Sequence, residues 1–556
     1  MKNKYKIAAV ISVLLIGCIY YYIKLPALNI HEPGFWGFVI VVSLLLFLVS
    51  ILPALKLGGV RPIHLERGSL WGIRKFLSRF FFWLTIGLFV FYIGGSILSS
   101  EVVNARKYHN LIQIENGKFN EDIEQISYNE IPLLDKDSAA LVGNRKMGTM
   151  VEYVSQFEVS PDYTQINYKN KPVRVTPLQY GNWLKWFTNQ SEGIPAYICI
   201  DMATQNAECV KLPQGMKYTE SDHFNRNIYR YLRFRYPTYM FDKLNFELDE
   251  NGTPVYICPV KDYTIGLFGG ETISKVVIVN AVTGEHKEYD VKDVPRWVDR
   301  VYSSDLLVSY YDYYGTLKHG FWNSILSQKD CMKTTDGYNY IALDDDVWVY
   351  TGVTSAGQDQ SNVGFVLMNQ RTGQTKYYQI SGATEHSAMS SAEGKVQNLK
   401  YEATFPLLMN IAGKPTYFIC LKDSAGLVKQ YAMVNIEKYT VVAIGSTVAA
   451  CEKDYIQQLK DNGIVKEEEE KKETRTVSGK ILRMTDAVVD GNSHFYLVLE
   501  GSDAIYDASI TNVMDVVRYQ TGDVITFEYE EGEKSNPVVK INNEFTQEGK
   551  TGGVKN

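Results

Sequence analysis

Side chains able to do chemistry are few in this chain. His386 stands beside Glu385, Ser387, Ser390 and Ser391, the residue types of a triad in which histidine takes a serine proton while a carboxylate orients the ring. The spacing argues against such a site. No Gly-x-Ser-x-Gly elbow, Ser-x-x-Lys pair or His-Glu-x-x-His segment is present, and those spacings matter because they bring the reacting groups onto one turn or one helix face. The small, polar stretch 381–394 reads as a surface loop. A triad assembled from distant parts of the chain stays open.

Asp344, Asp345 and Asp346 precede the strand-like run 347–351 and offer oxygen ligands to calcium. Consecutive carboxylates do not converge as alternating ones do, and the turn glycine and position-12 acid of a calcium loop are missing. No Cys or His pair has zinc spacing. No catalytic residue, metal site or cofactor is expected. The remaining candidates are Arg226, Arg230 and Arg233, on a predicted helix over 220–234 with Thr219 and Ser221 as capping residues and a stop near Pro237. Phe224, Ile228, Tyr231 and Leu232 form its apolar face and the arginines the other. Such a stripe suits an anionic partner, either wall polymer or lipid headgroup; the alternative is a solvated face paired with neighbouring carboxylates.

Cys18 falls in an apolar segment, and Cys199, Cys209, Cys258, Cys331, Cys420 and Cys451 follow it. Several end apolar runs, where a free thiol packs as a small hydrophobe, so buried thiols are expected. Only Cys199 and Cys209, flanking a turn, are near enough in sequence for a local bridge. Trp183 and Trp186 belong to a short helix expected to start at Thr176-Pro177, with core packing preferred over a ligand shelf.

The elements that must carry these residues begin with three charge-free segments, 7–23, 35–55 and 80–98, each near the roughly 20 residues needed to cross a bilayer. Lys2, Lys4 and Lys6 precede the first, and Lys56, Arg61, Arg67, Arg74, Lys75 and Arg79 separate the second from the third. Basic flanks stay in the cytoplasm. The expected arrangement is a multi-pass plasma-membrane protein with a cytoplasmic N-terminus, contact with membrane lipid and an extracytoplasmic main body. A cleaved signal peptide is the competing reading, but Lys24-Leu25-Pro26 stands where a small-x-small cleavage site would be needed.

Beyond the anchor (1–98), helical spacing predicts a juxtamembrane stalk (99–148). Alternation from Met150 onward then predicts a β-rich body (149–455). Two phrases recur in the body. Gly-x-Pro-x-Tyr starts at Gly193, Gly252 and Gly413, each time leading into an apolar run. Asn280 through Thr283-Gly284 and Asn369 through Thr372-Gly373 both read as strand, turn, strand. This vocabulary resembles the extracytoplasmic PepSY-type repeats, although asparagine occupies both positions where their turn usually has aspartate. The resemblance implies a non-catalytic envelope module, often associated with control of peptidases.

A charged linker (456–474) separates the body from a series of three strands, a short helix and two strands (475–545), the order of a five-stranded OB-type barrel. The polar tail 546–556 reads as disordered. The fold class expected is thus α+β: three transmembrane helices, a body of hairpin repeats and an OB-like β-barrel. The function expected is a non-catalytic membrane-anchored cell-envelope protein that binds or scaffolds an envelope protein or wall polymer. Alternatives are an envelope hydrolase or transferase acting on wall polymer, and a regulator or assembly partner of another membrane protein.

The formal charge of −6 argues against nucleic acid as a partner. Within 475–545, the six basic residues Arg475, Lys480, Arg483, Arg518, Lys534 and Lys540 face twelve acids. An isolated 475–545 fragment is therefore expected to bind no oligonucleotide even at low salt, where counterion release would help most. Micromolar, salt-sensitive binding in a fluorescence anisotropy titration would overturn this reading.

Overall fold

The computed structural model describes residues 2–51, 69–125, 131–343, 345–357, 361–465, 474–489, 492–532 and 535–542. Residues 52–68 of the basic connection, with Lys56, Arg61 and Arg67, as well as Asp344, the charge run 466–472 and the 546–556 tail, lie outside those residues, whereas Arg74, Lys75 and Arg79 fall within the third helix. The chain forms two compact units, 1–465 and 466–556.

Three helices open the first unit: Lys2–Lys24, Pro33–Ile51 and Ser69–Ser99. Pro33–Ile51 and the Lys75–Ser99 part of the third are long and apolar enough to span a bilayer, while the corresponding stretch of the first is the shorter Ile11–Lys24. Only 11% and 0% of the two longer segments is buried, so they are not core helices of a soluble domain. Ser43 and Thr85 hydroxyls meet at 2.9 Å between them, and the Tyr20 and Phe38 rings stack at 5.7 Å between the first two helices.

The body contains four sheets with one connectivity. In each, two short strands lie end to end along one edge of a longer strand, which pairs antiparallel with a second and that with a third. The first sheet runs Phe157–Val159 and Thr164–Asn167 against Pro172–Tyr180, then Ile194–Asp201 and Ala207–Met216. The second runs Met240–Phe241 and Asn245–Leu248 against Pro254–Ile265, then Gly269–Asn280 and His286–Asp290. The third runs Met332–Thr334 and Asn339–Leu343 against Asp346–Ser355, then Gly364–Asn369 and Thr375–Tyr378. The fourth runs Glu402–Ala403 and Leu407–Ile411 against Lys414–Lys422, then Val428–Asn435 and Val442–Gly445. A capped helix precedes each: Lys136–Gly148, Ile228–Arg235, Ser304–Thr316 and Glu385–Lys395, with Asp135, Asn227, Ser303 and Thr384 accepting from backbone N–H groups three residues on.

Turn chemistry explains the recurrence. The hairpin into each longer strand needs a left-handed residue, supplied by Asn170, Gly252, Asp345 and Gly413 at φ 58°, 81°, 68° and 70°. Each following strand ends at Asp201, Asn280, Asn369 or Asn435. The first three side chains accept from the N–H groups two and three residues on, and Asn435 accepts from Lys438. This Asx geometry closes the turn to the last strand. Gly193, expected to match Gly252 and Gly413, does a different job. It leaves the helix Trp183–Asn189, donates to the Asn189 carbonyl at 3.0 Å and enters the sheet's next strand. The true counterpart in the first sheet is Asn170-Lys171-Pro172.

A sheet alone leaves one apolar face wet, and these sheets solve that in pairs. Val175, Ile198, Phe246, Tyr256 and Val277 share a core between the first and second sheets; Trp348, Phe365, Leu408, Tyr417 and Met433 share one between the third and fourth. The predicted stalk is absorbed into this body. Helix Glu101–His109 gives way to Ile114–Asn116, which pairs in parallel with Thr375–Tyr378, while Ala139 and Met147 enter the first core. An unfilled sheet edge outweighs local helical spacing there. Thr176-Pro177 lies inside strand Pro172–Tyr180 rather than starting a helix; Asn182 caps Trp183–Asn189 instead. Residues 381–394 are largely helical, not a loop.

The second unit is a closed five-stranded barrel. Arg475–Val489, Asn492–Leu499 and Ile505–Ser509 follow in order, and Val524–Tyr529 and Asn536–Ile541 close the circuit onto the first and third strands. The turn Met514–Arg518 precedes the fourth strand. Leu497, Tyr506 and Phe527 fill its core.

A Cβ at Gly193 would run into the Met216 carbonyl oxygen, whereas one at Gly413 meets only open space. Gly413→Ala is expected to cost about 1–2 kcal/mol, the strain of a left-handed alanine, and Gly193→Ala visibly more. Thermal unfolding of the detergent-solubilised chain tests this; equal losses would contradict the packing at Gly193.

Candidate functional site

A cavity of about 650 Å³ opens where the first three sheets meet, and Arg174, Asn245, Arg300, Ser304, Tyr338 and Tyr340 contribute to its wall. Arg174 projects from a strand otherwise filled with apolar residues and is 5% exposed. Its Nη2 donates to Gln165 Oε1 at 3.2 Å, while its Nε has no hydrogen-bond partner among the described residues. Burial, with Arg300 nearby, pulls its pKa down to about 10, so it remains a cation at neutral pH.

Arg300 is held by its own backbone. The N–H groups of Asp299 and Arg300 donate to the Glu247 carboxylate at 3.0 and 2.9 Å. Its guanidinium lies 4.2 Å from the Tyr340 ring centroid, and Nη1 donates to the Tyr340 hydroxyl at 3.1 Å. Ser304 donates to the same oxygen at 3.0 Å. Burial alone would raise the Tyr340 phenol, but Arg300, Ser304 and Arg174 bring it below its ordinary value. Behind them, burial raises both Glu247 and Asp299, and Glu247 raises Asp299 further. Two backbone N–H groups favour the Glu247 anion and one, from Asn167, favours that of Asp299, so the upward shift is the stronger at Asp299. The lining is mixed in charge: Asp135, Asp162 and Asp242 are ion-paired with Lys422, Lys243 and Lys261, and Glu220 and Asp305 also line it. Arg174 and Arg300, by contrast, have neutral direct partners, so the guanidinium end is the part suited to a carboxylate or phosphate group.

The residues singled out from sequence lie elsewhere. His386 is exposed, while its neighbour Glu385 is fully buried, accepting from Thr335 at 3.0 Å and Asn362 at 3.3 Å. Successive helix residues face different directions, so the two do not form a dyad. Asp346 takes a bidentate bond from Arg371 at 2.6 and 2.7 Å and another from Asn369 at 2.8 Å; Asp345 accepts from Asn167 at 3.0 Å. Their oxygens are engaged by protein donors, and no group of three metal-ligand residues exists among the described residues. All seven cysteines are free. Cys199 pairs with Glu208 and Cys209 with Ile198 across neighbouring strands; the one-residue offset turns the two thiols to opposite faces.

The arginine stripe does not form on one solvated face. The helix begins at Ile228 because Asn227 caps it, after a separate turn Phe224–Arg226; Thr219 instead bonds Asp222 in the interior. Arg233 is buried, donating to the carbonyls of Leu25, Tyr239, Tyr236 and Pro237 at 2.8, 2.6, 3.3 and 3.3 Å. Arg230 donates to Phe224 O at 2.9 Å and Tyr22 O at 3.4 Å, and its guanidinium sits 4.3 Å from the Tyr22 ring centroid. Arg226 donates to Gln190 O. Two of the three therefore hold the end of the first helix and the loop beyond it. Sequence reasoning passed over Arg174 and Arg300; a lone arginine within the strand Pro172–Tyr180 was the available signal.

No protein-family model matches the chain, and no curated protein matches it. Its chemistry therefore has to be read from its own geometry.

Of the tryptophan pair, Trp183 is exposed and Trp186 buried, with Trp186 Nε1 donating to Asp222 Oδ1 at 3.2 Å and Thr219 to Oδ2 at 2.8 Å. Burial raises the Asp222 pKa to about 6 despite these donors and Arg226. A carboxyl with a raised folded pKa binds its proton more tightly when folded. Its contribution to stability is complete below about pH 4 and lost as pH rises through about 6. Asp222→Asn, which keeps the shape, should raise the melting temperature above about pH 7, by up to roughly 3 kcal/mol in stability, and leave it unchanged near pH 4. The same difference at both pH values would contradict the assignment.

Proposed function

We propose that the chain is a non-catalytic, multi-pass plasma-membrane protein with three spans. It holds a rigid body of PepSY-like repeats and an OB-like barrel outside the cytoplasm, where they bind or scaffold an envelope partner. The observation that carries this is the seam between body and helices. Leu28 N donates to Pro237 O at 2.7 Å, His31 Nδ1 lies 2.8 Å from Leu267 O, and Ser99 Oγ accepts from Leu267 N and Phe268 N at 2.7 and 3.1 Å. The loop after the first helix and the end of the third thus grip one body, which supports a topology with both on the same side of the membrane. In that topology Pro33–Ile51 leads away from the body's side and Ser69–Ser99 leads back to it, and the basic residues between the second and third apolar segments belong to the opposite side. Basic loops are retained in the cytoplasm, and the body is then exported.

Asp201 supplies in the first sheet the turn aspartate usual in PepSY repeats. The barrel's strand order supports the OB-like reading. The two-arginine cavity supplies the binding element, and its ligand on this reading is an anionic group of the envelope partner. Protease added to spheroplasts should destroy an epitope placed after residue 542 while one at the N-terminus survives. Survival of the C-terminal epitope until the membrane is opened would defeat the topology.

A further inference from the structure

A second cavity of about 540 Å³ sits beside the end of the first helix. Arg226, Arg230 and Arg235 line it, together with Tyr22, Tyr218, Tyr231 and Phe234. None of the three arginines is ion-paired with a described carboxylate, and Arg235 stacks 3.7 Å from the Tyr231 ring centroid with its side chain exposed. Phe234 lies 6.3 Å from the Tyr21 ring and 6.2 Å from the Tyr22 ring, within the last turn of Lys2–Lys24. A second aromatic group is tied to this point through Arg230, which donates both to Tyr22 O on the first helix and to Phe224 O. Trp183, Phe187, Phe224 and Phe234 are 53%, 57%, 58% and 54% exposed, and ring contacts at 5.6, 6.5 and 5.7 Å join Trp183, Phe187, Trp186 and Phe224 into one chain. Phe224 is held at φ 49°, a strained state for a bulky residue, which marks a side chain fixed in position at a cost.

Exposed aromatics in one patch usually mark a surface that something covers. Here Phe234 touches the end of an apolar helix directly and Phe224 is linked to it through Arg230, and aromatic residues at the rim of membrane helices sit among lipid headgroups. The adjoining arginines complement negative charge, and guanidinium groups bind phosphate with directed hydrogen bonds. We propose that this face lies on the outer leaflet and that Arg226, Arg230 and Arg235 bind the phosphate of an anionic phospholipid, with the aromatic patch seated among the headgroups. This rests on the membrane-anchored reading above.

The test uses the full chain in nanodiscs of phosphatidylcholine containing phosphatidylglycerol, with lipids retained by the protein measured by native mass spectrometry. The parent should retain phosphatidylglycerol in preference to phosphatidylcholine. Arg235→Gln, at an exposed side chain that stacks on Tyr231, should lose about fivefold of that preference with an unchanged melting temperature. Arg226→Gln combined with Arg235→Gln should lose more, and Lys211→Gln, on the first sheet, should lose none. Trp183→Phe should reduce fluorescence quenching by brominated lipid. Unchanged preference in the arginine variants would overturn the proposal. Displacement of phosphatidylglycerol by millimolar inorganic phosphate, with no brominated-lipid quenching of Trp183, would also overturn it, in favour of a soluble anion. Resistance of the parent to alkaline extraction from membranes checks the anchor separately, so failure of lipid selection in a protein that stays embedded counts against this proposal alone.

Discussion

Arg233 makes the interaction on which the rest of the arrangement depends. A guanidinium can be buried without a carboxylate only if other acceptors replace water, and four backbone carbonyls do so here, one of them from the loop following the first helix. Because the acceptors are main-chain groups, the clamp fixes the path of the backbone rather than the rotamer of a partner. The second repeat is thereby joined to the membrane-associated helices through directed bonds, and Ser99 makes a matching connection at the end of the third helix. Removing Arg233 would leave carbonyls unpaired on both sides of the seam, a larger loss than that of a surface ion pair.

The same economy governs the body. Four sheets of one connectivity bury their inner faces pairwise, so each repeat depends on a neighbour for its core. Meeting points between repeats are where charge enters: Arg174, Arg300, Glu247 and Asp299 lie at the junction of the first three sheets, and burial shifts Arg174, Glu247 and Asp299. Perturbed groups beside a cavity are where a binding function is best sought.

Much of this was legible from local chemistry. Charge-free segments announced the apolar helices, and Asn280 and Asn369 announced turns that the structure extends to Asp201 and Asn435. The order of three strands, a short helical turn and two strands is the one the second unit shows. What local patterns missed was phase and direction. A positive-φ glycine before a strand serves a hairpin at Gly252 and Gly413 but a helix exit at Gly193, and the sequence phrase is the same for both. Helical spacing grouped Arg226, Arg230 and Arg233, yet carbonyls contributed by other segments decide where each guanidinium goes. Ile114–Asn116 became a strand because Thr375–Tyr378 offers it an edge, a partner that no local window contains.

The central claim is that the body is joined to the outer ends of the membrane helices on the exported side. The Leu28 amide and Pro237 carbonyl meet at 2.7 Å, and Asn29 Nδ2 reaches the neighbouring Thr238 carbonyl at 3.0 Å. Cysteines placed at Leu28 and Thr238 and treated on intact spheroplasts with a membrane-impermeant, short-span thiol cross-linker test both parts of the claim at once. The account predicts rapid intramolecular cross-linking before the membrane is opened; cross-linking only after permeabilisation, or none at all, would contradict it.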